Sequence, residues 1–391
     1  MTMQRPGTSA RQWQIANAES YLSWRRSAGL DASNMKSVCD SVDATFGMLF
    51  GRADCPLLAA RLPDALRRCD DLDFSDLEAG LAYLILHFAD RYGRADQVLQ
   101  RLLRLGFAPI RRQRVAVLDV GAGPAPSSFA AHDFYNDLAD WNENGDSEYV
   151  VGRAVVHPLD RGIAWDTIIH NFSEQLMVRR TPPAERRPLP FSRTYDNFAG
   201  FSVHEQHHGY RKAIKDRIVR EYDQADEYID PREAWQEAYA YPAQIPSAYD
   251  LVFISNFLTS VNIAETFQRE LVGLAHSLTL GGVLLFLTAT GGRYAAIHAQ
   301  IEEIAQLARL SRIEGFDEPI EANQDERMRE QVAAQVRASV ARVRVLCDLN
   351  QSDWRAISDG LSNDLTDPAV PFTLPKFRVF AYRRTSGAAT A

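Results

Sequence analysis

The most constraining feature of this chain is a short apolar run that stops on an acid and a glycine turn: Val115-Ala-Val-Leu118, then Asp119-Val-Gly121-Ala122-Gly123. A run with no polar face reads as a strand buried on both sides, as in a parallel sheet. The stretch from Ser127 to Leu138 reads as a helix, so the three parts form a strand–turn–helix unit. Glycine lacks the Cβ that would hold a ligand off, so the backbone of such a turn can approach one closely.

Two later segments have the same texture: Tyr249-Asp-Leu-Val-Phe-Ile254, and Val283-Leu-Leu-Phe-Leu287 directly after Gly281-Gly282. Between them, Ala264 to Leu278 is apolar at helical spacing. Strand, helix, strand implies a right-handed crossover and a parallel sheet. Lys376 to Tyr382 reads as a last strand. The expected fold is α/β: a Rossmann-like doubly wound sheet, mostly parallel, with an antiparallel C-terminal strand. A length of 391 residues suggests two or three domains. The expected division is a helical N-terminal domain over 1–110 and a sheet domain over 111–391. In the first, Ser75-Asp-Leu-Glu78 fits a capping box, Leu77, Leu81, Leu84, Ile85 and Phe88 follow at helical spacing, and Gly106 stops the helix. From Asp119 to Asp250 the chain advances 131 positions, more than three βαβ steps of roughly 30 residues need. An insert is therefore expected at about 165–240. A helical addition is expected at about 321–349, where Val332, Val336, Val340, Val343 and Leu346 recur.

The net charge of −8 argues against non-specific nucleic-acid binding, which rests on lysine and arginine meeting phosphate. Cys39, Cys55, Cys69 and Cys347 form no CxxC pair, and reduced thiols are expected. Met1 to Ser9 has no apolar core of a signal peptide, and no apolar run approaches the roughly 20 residues that cross a bilayer. A cytoplasmic protein with no membrane partner is the expectation.

Two cofactor classes use a glycine turn of this kind. The dinucleotide fingerprint G-x-G-x-x-G wants glycine where Pro126 stands, and wants an apolar residue where Asp119 stands. Instead, Val117-Leu-Asp-Val-Gly-Ala-Gly-Pro124 resembles motif I of the class I S-adenosylmethionine-dependent methyltransferases. Tyr249-Asp-Leu-Val-Phe-Ile-Ser-Asn256 resembles their fourth strand, and Leu278-Thr-Leu-Gly-Gly-Val-Leu-Leu285 resembles the turn into their fifth. The resemblance covers about 110–135, 247–290 and 376–383, and leaves out the helical N-terminus and the insert. The order of helical lead, GAGP turn and YDLV strand is also faintly similar to methyltransferase-like proteins associated with the small ribosomal subunit, whose cysteine ligands are missing here.

The resemblance implies S-adenosyl-L-methionine as cofactor. Gly121 and Gly123, with Ala122 and Pro124 in the same turn, would approach its methionine portion. Asp119 would sit at its amino end, and Ser255 and Asn256 would line the pocket. Ala125 stands where the family often has a third glycine. The resemblance also implies an acid at the end of the second strand to hold the ribose hydroxyls. Asp160, after Val155-Val-His-Pro-Leu159, is the candidate. Its separation from Asp119 exceeds the roughly 20 residues expected, and capping a helix that begins near Arg161 is the alternative. No N-P-P-Y or D-P-P-Y follows the fourth-strand segment, which argues against a base amino group as acceptor. Asn256 is the candidate for orienting the acceptor, and His157, His170, His204, His207 and His208 are candidate bases.

The insert carries His204-Glu-Gln-His-His208, an H-E-x-x-H match. On a helix His204 and His208 share a face and could hold zinc, with Glu205 as general base and Glu227 as a third ligand. The basic helix that follows, with Lys212, Lys215 and Arg217, argues against this, and no metal is expected. Over 178–220, Arg179, Arg180, Arg186, Arg187, Arg193, Arg211, Lys212, Lys215, Arg217 and Arg220 outnumber Glu185, Asp196, Glu205 and Asp216. That excess is either a field for an anionic acceptor or a solvated face. Phe191, Tyr195, Phe198 and Phe201 either stack on bases or, preferably, anchor the insert. The expected function is methyl transfer to an unidentified acceptor. The alternatives are a methyltransferase-like scaffold that binds a partner or RNA without turnover, and a zinc hydrolase.

Overall fold

A computed structural model describes residues 9–67, 72–111, 113–145, 150–180, 198–224, 228–240, 245–322, 325–367 and 369–385. Four helices lead: α1 (Ala10–Ser27), α2 (Leu30–Phe50), α3 (Cys55–Arg67) and α4 (Leu77–Leu105). Then come β1 (Arg114–Val120), α5 (Pro126–Glu143), β2 (Arg153–Leu159) and α6 (Ala164–Arg179). A helical hairpin, α7 (Val203–Gln224) and α8 (Pro231–Ala240), precedes β3 (Tyr249–Ser255), α9 (Val261–Thr266), α10 (Gln268–His276) and β4 (Leu278–Ala289). The chain ends with α11 (Ala295–Leu307), β5 (Ser311–Arg312), α12 (Glu326–Leu346), α13 (Gln351–Ser358), α14 (Asn363–Thr366) and β6 (Phe377–Arg383).

The sheet order is β2-β1-β3-β4-β6-β5. The first four strands are mutually parallel, and β6 runs antiparallel to β4 and β5. This is the mostly parallel, Rossmann-like arrangement expected. Val117 pairs with Leu251 and Leu251 with Val283, so the three apolar runs lie side by side and their C-terminal ends share one edge. Alternate residues of each strand point to opposite faces, and the sheet separates two cores accordingly. Val117, Phe253 and Leu285 face α1–α6 and α12, whereas Leu118, Val252, Leu284 and Phe286 face α9–α11. The N-terminal helices thus share one continuous core with the sheet.

The central element of that core is α4, whose 29 residues are buried on nearly all sides. Its N-cap is Asp76, whose Oδ1 accepts from Ala79 N at 2.6 Å, one residue later than the expected Ser75. Glu78 does not close a capping box but accepts from Asp54 N at 2.7 Å. Gly106 ends the helix in the left-handed region at φ 75°. Arg25, 1% exposed, donates to Asp96 of α4 at 2.8 Å and lies 3.1 Å from Asp31 and 3.5 Å from Asp137 of α5. One buried cation of α1 thereby ties α2, α4 and α5 to its own helix.

Two further expectations change. The 264–278 helix breaks at Phe267 into α9 and α10. Between β1 and β3 only β2 is a strand among the described residues, because long helices take up that length. The hairpin α7–α8 carries its own small cluster of Ile214, Ile218, Ala234 and Ala238. Among the described residues, no helix is long and apolar enough to cross a membrane.

Candidate functional site

The turn after β1 places Gly121, Gly123 and Ala125 at φ 64°, 56° and 66°, a conformation that the two glycines adopt without strain and the alanine does not. Pro126 opens α5 at a position where its missing N–H costs nothing. The end of β2 clamps this turn. Gly121 N and Ala122 N both donate to Leu159 O, at 2.9 and 3.1 Å. Gly123 N donates to Asp160 Oδ2 at 2.8 Å, and Gly162 N to Asp160 Oδ1 at 3.0 Å. Asp160 therefore lies at the end of β2 beside the glycine turn, and its wide sequence separation from Asp119 is absorbed by the 18 residues of α5. It does not provide a side-chain cap to α6, whose N-cap is Ile163.

Asp119 is 1% exposed. Its Oδ2 accepts from Ser128 N at 3.1 Å and Ser128 Oγ at 3.0 Å, which ties the strand end to the first turn of α5. Its Oδ1 is buried with no hydrogen-bond partner among the described residues. Burial pushes the carboxyl up to about 7 against the lowering effect of Ser128, and the nearby charge of Asp160 raises it further. Burial raises Asp160 as well, despite its backbone donors.

A cavity of about 230 Å³ opens over the turn. Gly121, Gly123, Asp160, Ser255 and Asn256 line it, with aromatic walls from Phe74, Tyr83, Trp165, Phe198, Phe257 and Phe267. Asp119, Ala122 and Pro124 do not line it. The carboxylate of Asp119 is turned to Ser128, and Ala122 is buried. At Gly123 an added Cβ would find its nearest atoms 3.8 Å away, on Trp165 and Tyr83. At Gly121 it would fall 2.6 Å from Cδ2 of Phe257, so this ring covers that end of the turn and the hollow extends beyond it. Asn256, at φ 52°, donates its backbone N–H to Leu287 O at 2.9 Å, which fixes the exit from β3.

A second cavity, of about 280 Å³, shares Arg91, Asn256 and Thr259 with the first. Its walls come from α4, the ends of β3 and β4, and the C-terminal stretch around Ser362–Pro375. None of the five candidate histidines lines either cavity. His157 is buried with its ring 5.6 Å from that of Tyr249, and His170 lies 3.2 Å from Glu174 on the surface. His207 Nδ1 is 2.7 Å from Ile245 O, and His208 stacks on Trp235 at 5.3 Å. The histidine that lines the second cavity is His87, which no sequence pattern marked. Its Nε2 lies 2.8 Å from Ala65 O; a carbonyl only accepts, so this nitrogen carries the proton. Burial pushes His87 down to about 3, with Arg91 acting in the same direction.

The His204 and His208 rings are parallel, 6.4 Å apart on α7. Among the described residues no three histidine, cysteine, aspartate or glutamate side chains converge on a metal position. Glu227, together with Cys69, Glu185, Arg186, Arg187, Phe191, Arg193, Tyr195 and Asp196, lies outside the described residues. Two cations of the insert face inward. Arg180 is buried against Asp133, and Arg211 is buried and donates to Ala238 O at 2.8 Å. The solvent-facing charge is thus smaller than the sequence count. Phe198 and Phe201 are buried in the core with Leu159 and Ile254, which is the anchoring arrangement.

No family model matches the chain, and no curated protein matches it. Among solved structures it is similar to an S-adenosylmethionine-dependent methyltransferase from Geobacter sulfurreducens in complex with S-adenosyl-L-homocysteine, with 12% identity, 74% of this chain and 90% of that chain covered, and a TM-score of 0.34. It is similar to the N-methyltransferase NodS from Bradyrhizobium japonicum, with 10% identity, 75% and 97% covered, and a TM-score of 0.32. It is also similar to loganic acid methyltransferase with S-adenosyl-L-homocysteine, with 9% identity, 77% and 93% covered, and a TM-score of 0.36.

Proposed function

We propose that the chain is a class I S-adenosylmethionine-dependent methyltransferase, with S-adenosyl-L-methionine over the β1 turn and the acceptor in the adjoining cavity. The observation that supports this best is the chemistry of the turn. A pyrophosphate at a glycine turn needs unpaired amides and the positive end of a helix. Here the amides of Gly121, Ala122, Gly123 and Ser128 already donate within the protein, and Pro124 and Pro126 have none. The carboxyls of Asp119 and Asp160 lie beside them. Such a turn repels phosphate and suits a cationic ligand rich in donors. Asp160 is placed to accept from ribose hydroxyls, and the aromatic walls offer faces and edges to an adenine ring.

The cofactor supplies a sulfonium-bound methyl carbon open to in-line attack, so the protein's part is position and dryness. Asn256 and Thr259, common to both cavities, are placed to hold the reacting atom of the acceptor. Trp165 walls the first cavity, and α4 contributes a wall to both. His87 is held neutral, with its one N–H directed at Ala65 O, so it can accept a hydrogen bond at Nδ1 but has no second proton to give at neutral pH.

Calorimetric titration with S-adenosyl-L-homocysteine and with NAD tests the reading. The first should bind and the second should not. Asp160→Asn should weaken S-adenosyl-L-homocysteine about tenfold or more, since it removes a charged acceptor worth roughly 1.5–3 kcal/mol. Binding of NAD without S-adenosyl-L-homocysteine would refute the proposal.

A further inference from the structure

The second cavity carries a charge pattern that the methyltransferase reading does not use. Its charged lining residues, among those described, are Arg67, Arg91, Arg94 and Arg293 against Asp90 and Asp364. Both acids are engaged: Asp90 lies 2.5 Å from Arg94 Nη2, and Asp364 Oδ2 accepts from Thr373 N at 3.0 Å and Thr373 Oγ1 at 3.3 Å. The formal charges of these described residues sum to +2, within a chain whose net charge is −8. Arg67 Nη2 donates to Asp359 O at 3.4 Å, Arg293 donates to the hydroxyl of Tyr294, and Arg91 lies over the Tyr83 ring. They come from distant parts of the sequence: Arg67 ends α3, Arg91 is on α4, and Arg293 sits in a 3-10 turn, Gly292–Tyr294, after β4. A hollow that gathers cations from three elements concentrates an anion and repels a cation. Arginine forks also match the geometry of an oxyanion. The lining also carries apolar side chains, among them Leu86, Val336, Phe372 and Leu374, beside the hydroxyls of Thr288 and Ser362.

We propose that this cavity takes a small organic oxyanion with an apolar body, its charged end held by Arg67, Arg91 and Arg293. Its other end lies toward Asn256 and Thr259, where the two cavities meet. That this oxyanion is the methyl acceptor rests on the methyltransferase reading, whereas the charge selectivity is measured independently of it. The basic insert, by contrast, is not needed to attract the anion.

The test is calorimetry on the full chain saturated with S-adenosyl-L-homocysteine, titrated with phenylacetate, phenyl phosphate and neutral phenylacetamide. At least one anion should bind, and the amide should bind about tenfold or more weakly, the scale of a charged hydrogen bond. The carboxylate and phosphate arms identify which oxyanion fits. Arg67 and Arg293 are exposed and line only this cavity. The double variant Arg67→Gln, Arg293→Gln should therefore erase the preference and leave S-adenosyl-L-homocysteine affinity unchanged. Equal binding of amide and anions, no binding of either anion, or a double variant that keeps the preference would each overturn the inference. A protein that binds no S-adenosyl-L-homocysteine but still prefers the anion contradicts the cofactor reading alone.

Discussion

Replacing Asp119 by asparagine should flatten the stability of this protein between about pH 4 and about pH 8. In the folded chain the carboxyl is raised from 3.8 to about 7, chiefly by burial. At low pH it is protonated in both folded and unfolded chains and has no effect. As pH rises past 4 the unfolded chain loses the proton first, so the folded state loses ground. The loss levels off once the buried carboxyl also ionises, near 7. A rise from 3.8 to about 7 corresponds to about 4 kcal/mol, and at 1% exposure there is little solvent screening to reduce it. Asparagine retains an oxygen for Ser128 N and removes the titration. Urea unfolding of both proteins across this window gives the test, because other titrating groups cancel in the difference. The variant should gain on the natural chain by up to about 4 kcal/mol toward pH 8. A constant difference would refute the claim that burial of this carboxyl outweighs its hydrogen bonds from Ser128.

Gly121→Ala adds a Cβ at φ 64° and 2.6 Å from Phe257. The backbone alone should lose about 1–2 kcal/mol in a thermal melt. Adding Phe257→Ala should relieve the clash but not the backbone cost, which a double-mutant cycle separates. Arg25→Met leaves Asp96 and Asp137 buried without their cation and should cost about 3–5 kcal/mol in denaturant unfolding. Adding Asp96→Asn should recover part of it.

The strand–turn–helix unit was legible because its signals are local: an apolar run with no polar face, then glycines at positive φ. Asp160 was legible by chemistry but not by spacing, since the length of α5 is not marked in its sequence. The second cavity was not legible. Its arginines lie on α3, α4 and the turn after β4, and a helix buried on nearly every side, such as α4, has no periodic signature for the stretch that borders a hollow. His87 and Arg91 were therefore missed while the histidines of α7, grouped in sequence, drew attention. Ser75 and Asp76 both suit an N-cap, and only the geometry of Ala79 N decides between them.

The unbroken run of α4 has one more consequence. At 1.5 Å per residue, its 29 residues span roughly 43 Å. This rod is capped by Asp76 and Gly106 and buried along most of its length. Beside Arg293, which lines the arginine-bearing chamber, an added Cβ at Gly292 would meet nothing within 4 Å. The fixed wall of that chamber is thus α4, and its roomier wall is the turn that carries Arg293.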